Sequence, residues 1–210
     1  MSEGLLLIIS GPSGSGKGTV VDALRPLSNF ALSISVTTRD MRDGEEDGIH
    51  YFFRTKDQFE EMRDNGELLE HASYNGNFYG TPKFYVEQKI KEGKAVILEI
   101  DVQGALQVKE LYPNSLLLFL VPPNRCELER RLVARGTEDA DSLNYRLQRA
   151  EQEFKLLDKY DYFVINDEID NAVIRIKTIT EAEMLRPGKN KKSIELFWEE
   201  FQCLDRLTAN

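Results

Sequence analysis

Short apolar runs alternate along the chain with longer stretches of mixed character. Four runs stand out: Leu5 to Ser10, Ala95 to Ile100, Leu116 to Val121 and Tyr162 to Ile165. Each has the length of a strand and is continuous rather than alternating, as expected of parallel strands buried on both faces. Helical patterns lie between them, so the core reads as α/β, a mostly parallel sheet flanked by helices. Residues 36–93 do not fit that core. They are rich in polar and aromatic side chains, with a strand expected at His50 to Phe53 and a helix near Asp57 to Asn65. Asn75–Gly76 between Tyr74 and Phe78 signals a hairpin, because both central positions tolerate positive φ. Thr81–Pro82 reads as a helix N-cap followed by proline at the first helical position, with the helix stopping at Gly93. Residues 125–159 are also foreign to the core, very charged and carrying two helical stretches. The expected division is therefore a core of 1–35, 94–124 and 160–188, insertions at 36–93 and 125–159, and a helical extension at 189–210. Insertions that follow the C-terminal ends of parallel strands are where α/β ligand sites form.

The extension follows a basic break, Arg186 to Lys192. Ile194, Phe197, Phe201 and Leu204 then form one apolar stripe at helical spacing. Two readings stand: the stripe docks on its own core, or it makes a subunit contact that builds a homo-oligomer. In the second, Trp198 beside the stripe is a contact anchor.

The 210 residues suit one domain, or one core with insertions, and 41% hydrophobic residues are enough for a packed interior. Lys plus Arg is 27 against 36 Asp plus Glu, a net charge of −9. That balance makes a nonspecific nucleic-acid coat a poor fit, and an anionic ligand needs a locally basic pocket. Cys126 and Cys203 are too few for a disulfide framework and read as reduced thiols. The run before Gly11 lacks a basic flank and ends in a glycine-rich turn, so it reads as a strand and not a signal peptide. No stretch approaches the ~18 apolar residues of a spanning helix. A soluble, cytoplasmic protein without a nucleic-acid or membrane partner is expected.

The first run leads directly into Gly11–Pro12–Ser13–Gly14–Ser15–Gly16–Lys17–Gly18–Thr19. This is P-loop spacing, with strand before and helix after. Glycines let backbone N–H groups converge on an anion, and the helix adds its positive N-terminal end. Lys17 brings a mobile full charge to the β and γ phosphates. Gly18 stands where Ser or Thr is usual, and the hydroxyl arrives one residue later at Thr19, which leaves the direct Mg²⁺ ligand open. Ala95 to Ile100 ends in Glu99–Ile100–Asp101, placing two carboxylates on one strand face. One of them can hold Mg²⁺ through water, and Glu99 is a longer variant of the usual Asp. Without a P-loop beside them, such residues read equally well as solvated strand-end acids.

Arg39 and Arg42, with Tyr51 beyond, supply forks suited to gripping a second phosphate, against the plainer reading of a solvated charged loop. Arg130, Arg131, Arg135, Arg146 and Arg149 crowd residues 125–159, interspersed with Glu127, Glu129, Glu138, Asp139 and Asp141. Surface ion pairing is one reading and a lid closing on a phosphoryl group is the other. His50 and His71 sit in no triad-like pattern.

GPSGSGKGT, SVTTRDMRDGEEDGIHYFF, GNFYGTP, LEIDVQG, RGTEDADSLNYRLQRAEQE and VIND occur in this order and spacing. Together, over about residues 4 to 185, they resemble the guanylate kinase family. The resemblance implies a P-loop NTPase-type core with an inserted GMP-binding segment at 36–93 and a lid at 125–159. It implies transfer of the ATP γ-phosphoryl group to GMP, and to dGMP, with Mg²⁺ bound alongside ATP. Gly11 to Thr19, Arg131, Arg135, Asn166 and Asp167 match ATP-side positions, and Arg146 matches a lid residue reaching both substrates' phosphates. Ser35, Arg39, Arg42, Glu45, Tyr51 and Tyr79 match residues around the GMP phosphate and sugar, Ser35 through a base contact. Glu70, Thr81 and Asp101 match the contacts that read guanine. Chemistry supports that match independently. Guanine offers N1–H and N2–H₂ as donors, which carboxylates at Glu70 and Asp101 accept, and O6 as an acceptor for hydroxyls at Ser35 or Thr81. Adenine would leave buried carboxylates unpaired, a mismatch of several kcal/mol.

The resemblance assigns catalysis to Lys17, Arg39, Arg131, Arg135 and Arg146, and metal binding to Thr19 and Glu99. The acceptor phosphate, with a second pKa of about 6, is already a dianion at neutral pH, so no general base is required. The alternative is a catalytically inactive guanylate-kinase-like domain that binds phosphopeptides in its acceptor site. A kinase for AMP or UMP is disfavoured by Glu70 and Asp101.

Overall fold

The computed structural model describes residues 4–74, 76–134 and 140–208. Along the chain run β1 (Leu5–Ser10), α1 (Lys17–Leu24), β2 (Phe30–Leu32), β3 (Val36–Thr37), β4 (Phe52–Phe53), α2 (Lys56–Asp64) and β5 (Leu68–Tyr74). There follow β6 (Asn77–Pro82), α3 (Lys83–Lys91), β7 (Ala95–Glu99), α4 (Val102–Leu111), β8 (Leu116–Val121), α5 (Arg125–Ala134), α6 (Ala140–Phe154), β9 (Tyr162–Ile165), α7 (Ile169–Met184) and α8 (Lys191–Thr208).

The four apolar runs are β1, β7, β8 and β9. With β2 at one edge they make a parallel sheet in the order β2-β7-β1-β8-β9. Their lack of alternation has a direct cause. Leu5, Leu7 and Ile9 pack with Val20, Val21 and Leu24 of α1 and with Ala172 and Ile176 of α7. Leu6 and Ile8 point the other way, onto Val86 of α3 and Ala105 and Val108 of α4. Neither face of β1 meets water, so a polar residue in either set would be buried unpaired, but β9, at the sheet edge, is not buried on both faces as expected and leaves Phe163 and Ile165 exposed. Each aliphatic side chain so buried contributes about 1.5–3 kcal/mol.

The first insertion builds a second sheet, β4-β3-β6-β5, around a small core of Val36, Phe59 and Leu68. Phe59 of α2 stacks on Phe78 at 5.4 Å. Thr55 caps α2 and exchanges side-chain bonds with Gln58, so the helix starts at Lys56 and Asn65 becomes its C-cap. The expected strand at His50 shrinks to Phe52–Phe53, because His50 lies in a turn where its Nδ1 accepts the Glu46 N–H at 3.0 Å. Thr81–Pro82 is not the expected cap pair. Pro82 pairs with Leu68, which keeps both residues in β6 and makes Pro82 itself the N-cap of α3. That helix stops as expected, with Gly93 at φ 78° just beyond its C-cap. It lies within 36–93 yet packs on the parallel sheet through Val86 and Ile90. The hairpin pairs Tyr74 with Asn77, with Gly76 at φ 77°; Asn75 lies outside the described residues.

The second insertion is a helical pair, α5 against α6, joined through Leu128, Leu132, Leu147 and Ala150. Arg135, Glu138 and Asp139 lie outside the described residues. On α8, Ile194, Phe197, Trp198 and Phe201 are all exposed, so the chain's own core does not cover the stripe; the side chain of Leu204 lies outside the described ones. Among the described residues, no helix is long and apolar enough to cross a membrane.

Candidate active site

Placing β1 between β7 and β8 sends the loops that leave these strands apart, and a crevice opens at their C-terminal ends. Every strand of the parallel sheet delivers a candidate residue there. The glycine loop follows β1, Ser35 follows β2, Asp101 follows β7, the helical pair follows β8, and Asn166–Asp167 follow β9. A cavity of about 590 Å³ lies between them, lined among others by Lys17, Gly18, Glu99, Asp101, Arg146 and Arg149. A larger cleft of about 950 Å³ opens at the opposite ends of the strands. There Lys109 pairs with Asp161 at 2.9 Å and Tyr162 with Glu183 at 2.8 Å, and no glycine loop reaches it.

The loop Gly11–Gly16 is shaped by steric necessity. Gly11 has φ 144°, and a Cβ there would lie 2.2 Å from the Leu120 carbonyl oxygen. Gly16, at φ 87°, is the N-cap of α1, and a Cβ would lie 2.4 Å from Asn166 Nδ2. Pro12 accepts the Ser15 N–H at 3.1 Å, closing the turn, while Gly14 packs against Leu128 and Leu132 of α5. Asn166 is buried and donates from Nδ2 to the Ser15 carbonyl at 2.8 Å. Arg131 of α5 braces the same region, donating to the carbonyls of Ser15 at 3.3 Å and Asn166 at 3.0 Å. Arg130 and Arg131 both bond Glu127 and hold its carboxyl down at about 2. Lys17 folds back over the loop, its Nζ donating to the carbonyls of Gly11 at 2.5 Å and Pro12 at 3.2 Å. From α6, Arg146 donates to the Ser13 hydroxyl at 3.1 Å. The helical pair therefore touches the loop from both of its helices.

Glu99 ends β7 exposed to the cavity, with an Oε1 that would lie 3.7 Å from a Cβ at Gly18. The glycine after Lys17 thus leaves room beside a carboxylate. Oxygen donors at a phosphate-binding loop match the preference of Mg²⁺, which takes one or two protein carboxylates and completes its shell with phosphate and water. Glu99 fits that group. Thr19 sits exposed on the first turn of α1 and does not line the cavity.

In the first insertion, Arg39 Nη2 donates to both carboxylate oxygens of Glu45, at 2.7 and 3.0 Å, and Nη1 donates to the Asp40 carbonyl at 2.6 Å. Its guanidinium lies 5.4 Å from the centre of the Tyr51 ring, and Tyr51 meets Tyr79 edge-on at 6.1 Å. Arg39 holds the Glu45 carboxyl below the usual range. Arg42 contributes its backbone N–H to Glu45 at 2.8 Å and leaves its exposed side chain at the rim. Ser35 anchors β4 by accepting the Phe52 N–H through its carbonyl at 2.8 Å. The buried Thr81 hydroxyl donates to Glu70 Oε1 at 2.6 Å. Burial pushes the Glu70 carboxyl up, the Thr81 bonds pull against it, and the nearby charge of Asp101 pushes it further. Glu70, Thr81 and Asp101 therefore converge, although they come from three separate strand ends. His50 and His71 are exposed in the first insertion.

The spacing had not marked Arg175 for the site, and it had marked Arg149 only as one of the lid arginines, without a partner. Arg175 of α7 clamps Asp167 at 2.7 and 3.1 Å and also bonds the Ile165 carbonyl, holding the Asp167 carboxyl far below its ordinary value. Arg149 of α6 reaches Asp101 Oδ2 at 3.4 Å. The Arg149 contact joins distant parts of the chain, and neither contact leaves a periodic trace. Asn166 also proves to be a clamp on the glycine loop, which its position after β9 did not reveal.

A family model described as guanylate kinase matches residues 3–183, ending just before α8. The chain is 53% identical over 185 residues to a guanylate kinase of Lactococcus lactis subsp. lactis (strain IL1403), covering 88% of this chain and 90% of that one. It is 47% identical over 210 residues to a guanylate kinase of Streptococcus pyogenes serotype M1, covering 97% and 100%. The crystal structure of guanylate kinase from Anaplasma phagocytophilum superposes with a TM-score of 0.67 at 35% identity, covering 90% of each chain.

Proposed function

The chain belongs to the guanylate kinase family, and from that premise we propose how its residues move the γ-phosphoryl group of ATP onto GMP or dGMP. The observation that carries the reading is that two complementary groups of residues meet at Asp101, which lines the same cavity as the glycine loop. One is a glycine loop with Lys17 for a polyphosphate; the other is the Glu70–Thr81–Asp101 cluster, whose acceptors match the donors of guanine.

ATP lies with its phosphates on the loop N–H groups and the start of α1, and its adenine beside Asn166 and Asp167. Arg131 supports that side, and Arg135, which lies outside the described residues, is assigned to it through the family's motif. GMP places its phosphate against Arg39, Arg42, Tyr51 and Tyr79, with Glu45 orienting Arg39. Ser35 and Thr81 present hydroxyls to the base, while Glu70 and Asp101 accept from its N1–H and N2–H₂. An oxygen of the GMP phosphate attacks the γ phosphorus, the bond to the bridging oxygen breaks, and ADP leaves with that electron pair. Lys17 and Arg146 neutralise the charge that spreads over the transferring group, which is the main demand of this chemistry. Mg²⁺, which Glu99 would hold through water, would neutralise phosphate charge when bound. Closure of α5 and α6 would exclude water, sparing ATP from hydrolysis. The phosphopeptide-binding alternative gains no support, since the cradle and its lysine are intact. A cytoplasmic setting and a role in recycling GMP go with this activity.

The test is ADP release with ATP, Mg²⁺ and a panel of nucleoside monophosphates. GMP is expected to turn over far faster than AMP or UMP, and equal rates would overturn the specificity assigned to Glu70 and Asp101. The exposed stripe of α8 supports a second proposal, that α8 joins copies of the chain. Replacing Phe197 and Phe201 by serine should then lower the mass measured by light scattering while leaving turnover intact; an unchanged mass refutes it.

A further inference from the structure

We infer that Arg149 is a positioning residue that couples occupancy of the acceptor pocket to closure of the lid. This rests on the reading of Asp101 as a guanine-reading carboxylate.

Arg146 and Arg149 lie one turn apart on α6 and face opposite substrates. Arg146 meets Ser13 in the phosphate cradle, whereas Arg149 meets Asp101 Oδ2 on the acceptor side. One face of a lid helix thus touches both halves of the site. Asp101 is held in orientation because its Oδ1 caps α4, accepting the Gly104 N–H at 2.9 Å. That leaves Oδ2 turned toward the lid. Arg149 is steadied from behind by Glu153, one turn along α6, whose Oε1 accepts from Nε at 3.0 Å and whose side chain is only 13% exposed. The guanidinium therefore stands between a carboxylate of the lid and a carboxylate of the core.

The link to the core is long, 3.4 Å, and both partners are about half exposed, Arg149 at 49% and Asp101 at 57%. Such a pair is weak and easily exchanged, which suits a contact remade on every turnover better than a permanent clamp. A carboxylate has about four acceptor positions, so Asp101 can receive guanine N–H groups and Arg149 together. Arg149 also opposes the negative charge that Glu70 and Asp101 place side by side. A base that settles on Asp101 fixes the carboxylate to which the lid is tied, and α6 is drawn over the cradle with Arg146. GMP should therefore tighten ATP, and by reciprocity ATP should tighten GMP by the same factor.

The experiment uses the full chain and a non-hydrolysable ATP analogue with Mg²⁺, titrated calorimetrically with and without saturating GMP. The native protein should bind the analogue about fivefold or more tightly with GMP present, within the usual range of such couplings. Arg149→Gln should bring that ratio to near one, leaving the affinity without GMP within about twofold. Arg149→Lys, which keeps the charge, should recover part of it. A native ratio of one, an unaltered ratio in Arg149→Gln, or an equal loss of analogue affinity with and without GMP would each overturn the inference. Failure of the underlying reading looks different, because the native protein would then show no preference for GMP in the ADP-release assay.

Discussion

The phosphate cradle and the proposed acceptor pocket meet at Asp101, yet the chain builds them from different materials. The cradle is backbone, held between the most buried strand of the parallel sheet and the first turn of α1, and braced by Asn166 and Arg131. The acceptor pocket is side chain, displayed on a small second sheet and at the end of β7. A site made of N–H groups recognises any polyphosphate and discriminates poorly between bases. A site made of carboxylates and hydroxyls discriminates well, and each of its members can be lost without disturbing the fold. The two should therefore respond oppositely to substitution, the first through rate and stability and the second through selectivity.

The largest expected effect is at Lys17, whose removal takes charge from the transferring group. Lys17→Ala should lower kcat by about 10³-fold with an unchanged melting temperature; retained turnover would remove it from the chemistry. Gly11→Ala should cost about 3 kcal/mol, since it combines a left-handed φ with a collision against the Leu120 carbonyl. Urea unfolding measures this, and a midpoint equal to the native one would mean that the loop is not tightly framed. Glu70→Gln replaces an acceptor oxygen with a donor facing guanine donors. It should lower kcat/KM for GMP by about 10²-fold while leaving the slow rate with AMP alone. A comparable loss with both substrates would erase the contrast between the two sites.

A smaller effect follows from the raised pKa of Glu70. Its folded value lies above its unfolded one, so the folded state holds the proton more tightly. Its contribution to stability is therefore greatest below the unfolded pKa and declines as pH rises toward the folded value. Guanine needs the ionised form, so the KM for GMP should rise as pH falls through the raised value, and Glu70→Gln should flatten that limb of the profile. Least of all should change in Arg130→Ala, whose side chain is mostly exposed and whose pair with Glu127 is screened by solvent. A large kinetic defect there would mean that α5 does more than brace the cradle.

The contrast between backbone and side chain also explains what could be read from the sequence. β1 and β8 begin and end where their apolar runs do, because burial on both faces forces an uninterrupted pattern, whereas β9 matches its run although its place at the sheet edge leaves Phe163 and Ile165 exposed. The cradle was equally plain, since its glycines are demanded by geometry within nine consecutive residues, Gly11 to Thr19. β2 escaped notice because Phe30–Leu32 is too short to show a period, and Thr81–Pro82 misled because pairing with Leu68 outweighed a local capping signal. The acceptor residues were identified through the family's motif order, as nothing in their spacing brings Glu70 to Asp101. The contacts of Arg149 with Asp101 and of Asn166 with Ser15 join residues far apart in sequence, and only the fold brings them together.

The position of β1 has a consequence for how the molecule is made. Leu5 pairs with Ala95 and Leu7 with Leu116, so the first strand of the chain must wait for partners translated long after it. At ~5–20 residues per second, the roughly 90 residues separating Leu5 from Ala95 correspond to about 5–20 s on the ribosome. Throughout that interval Leu5–Ser10 is an uncharged apolar segment without a sheet to join, which is the profile of an aggregation-prone stretch. The hairpin of β5 and β6, with partners close in sequence, has no such delay. The strand that presents the phosphate cradle is synthesised early and paired late, which makes nascent-chain protection a requirement of the same topology that creates the site.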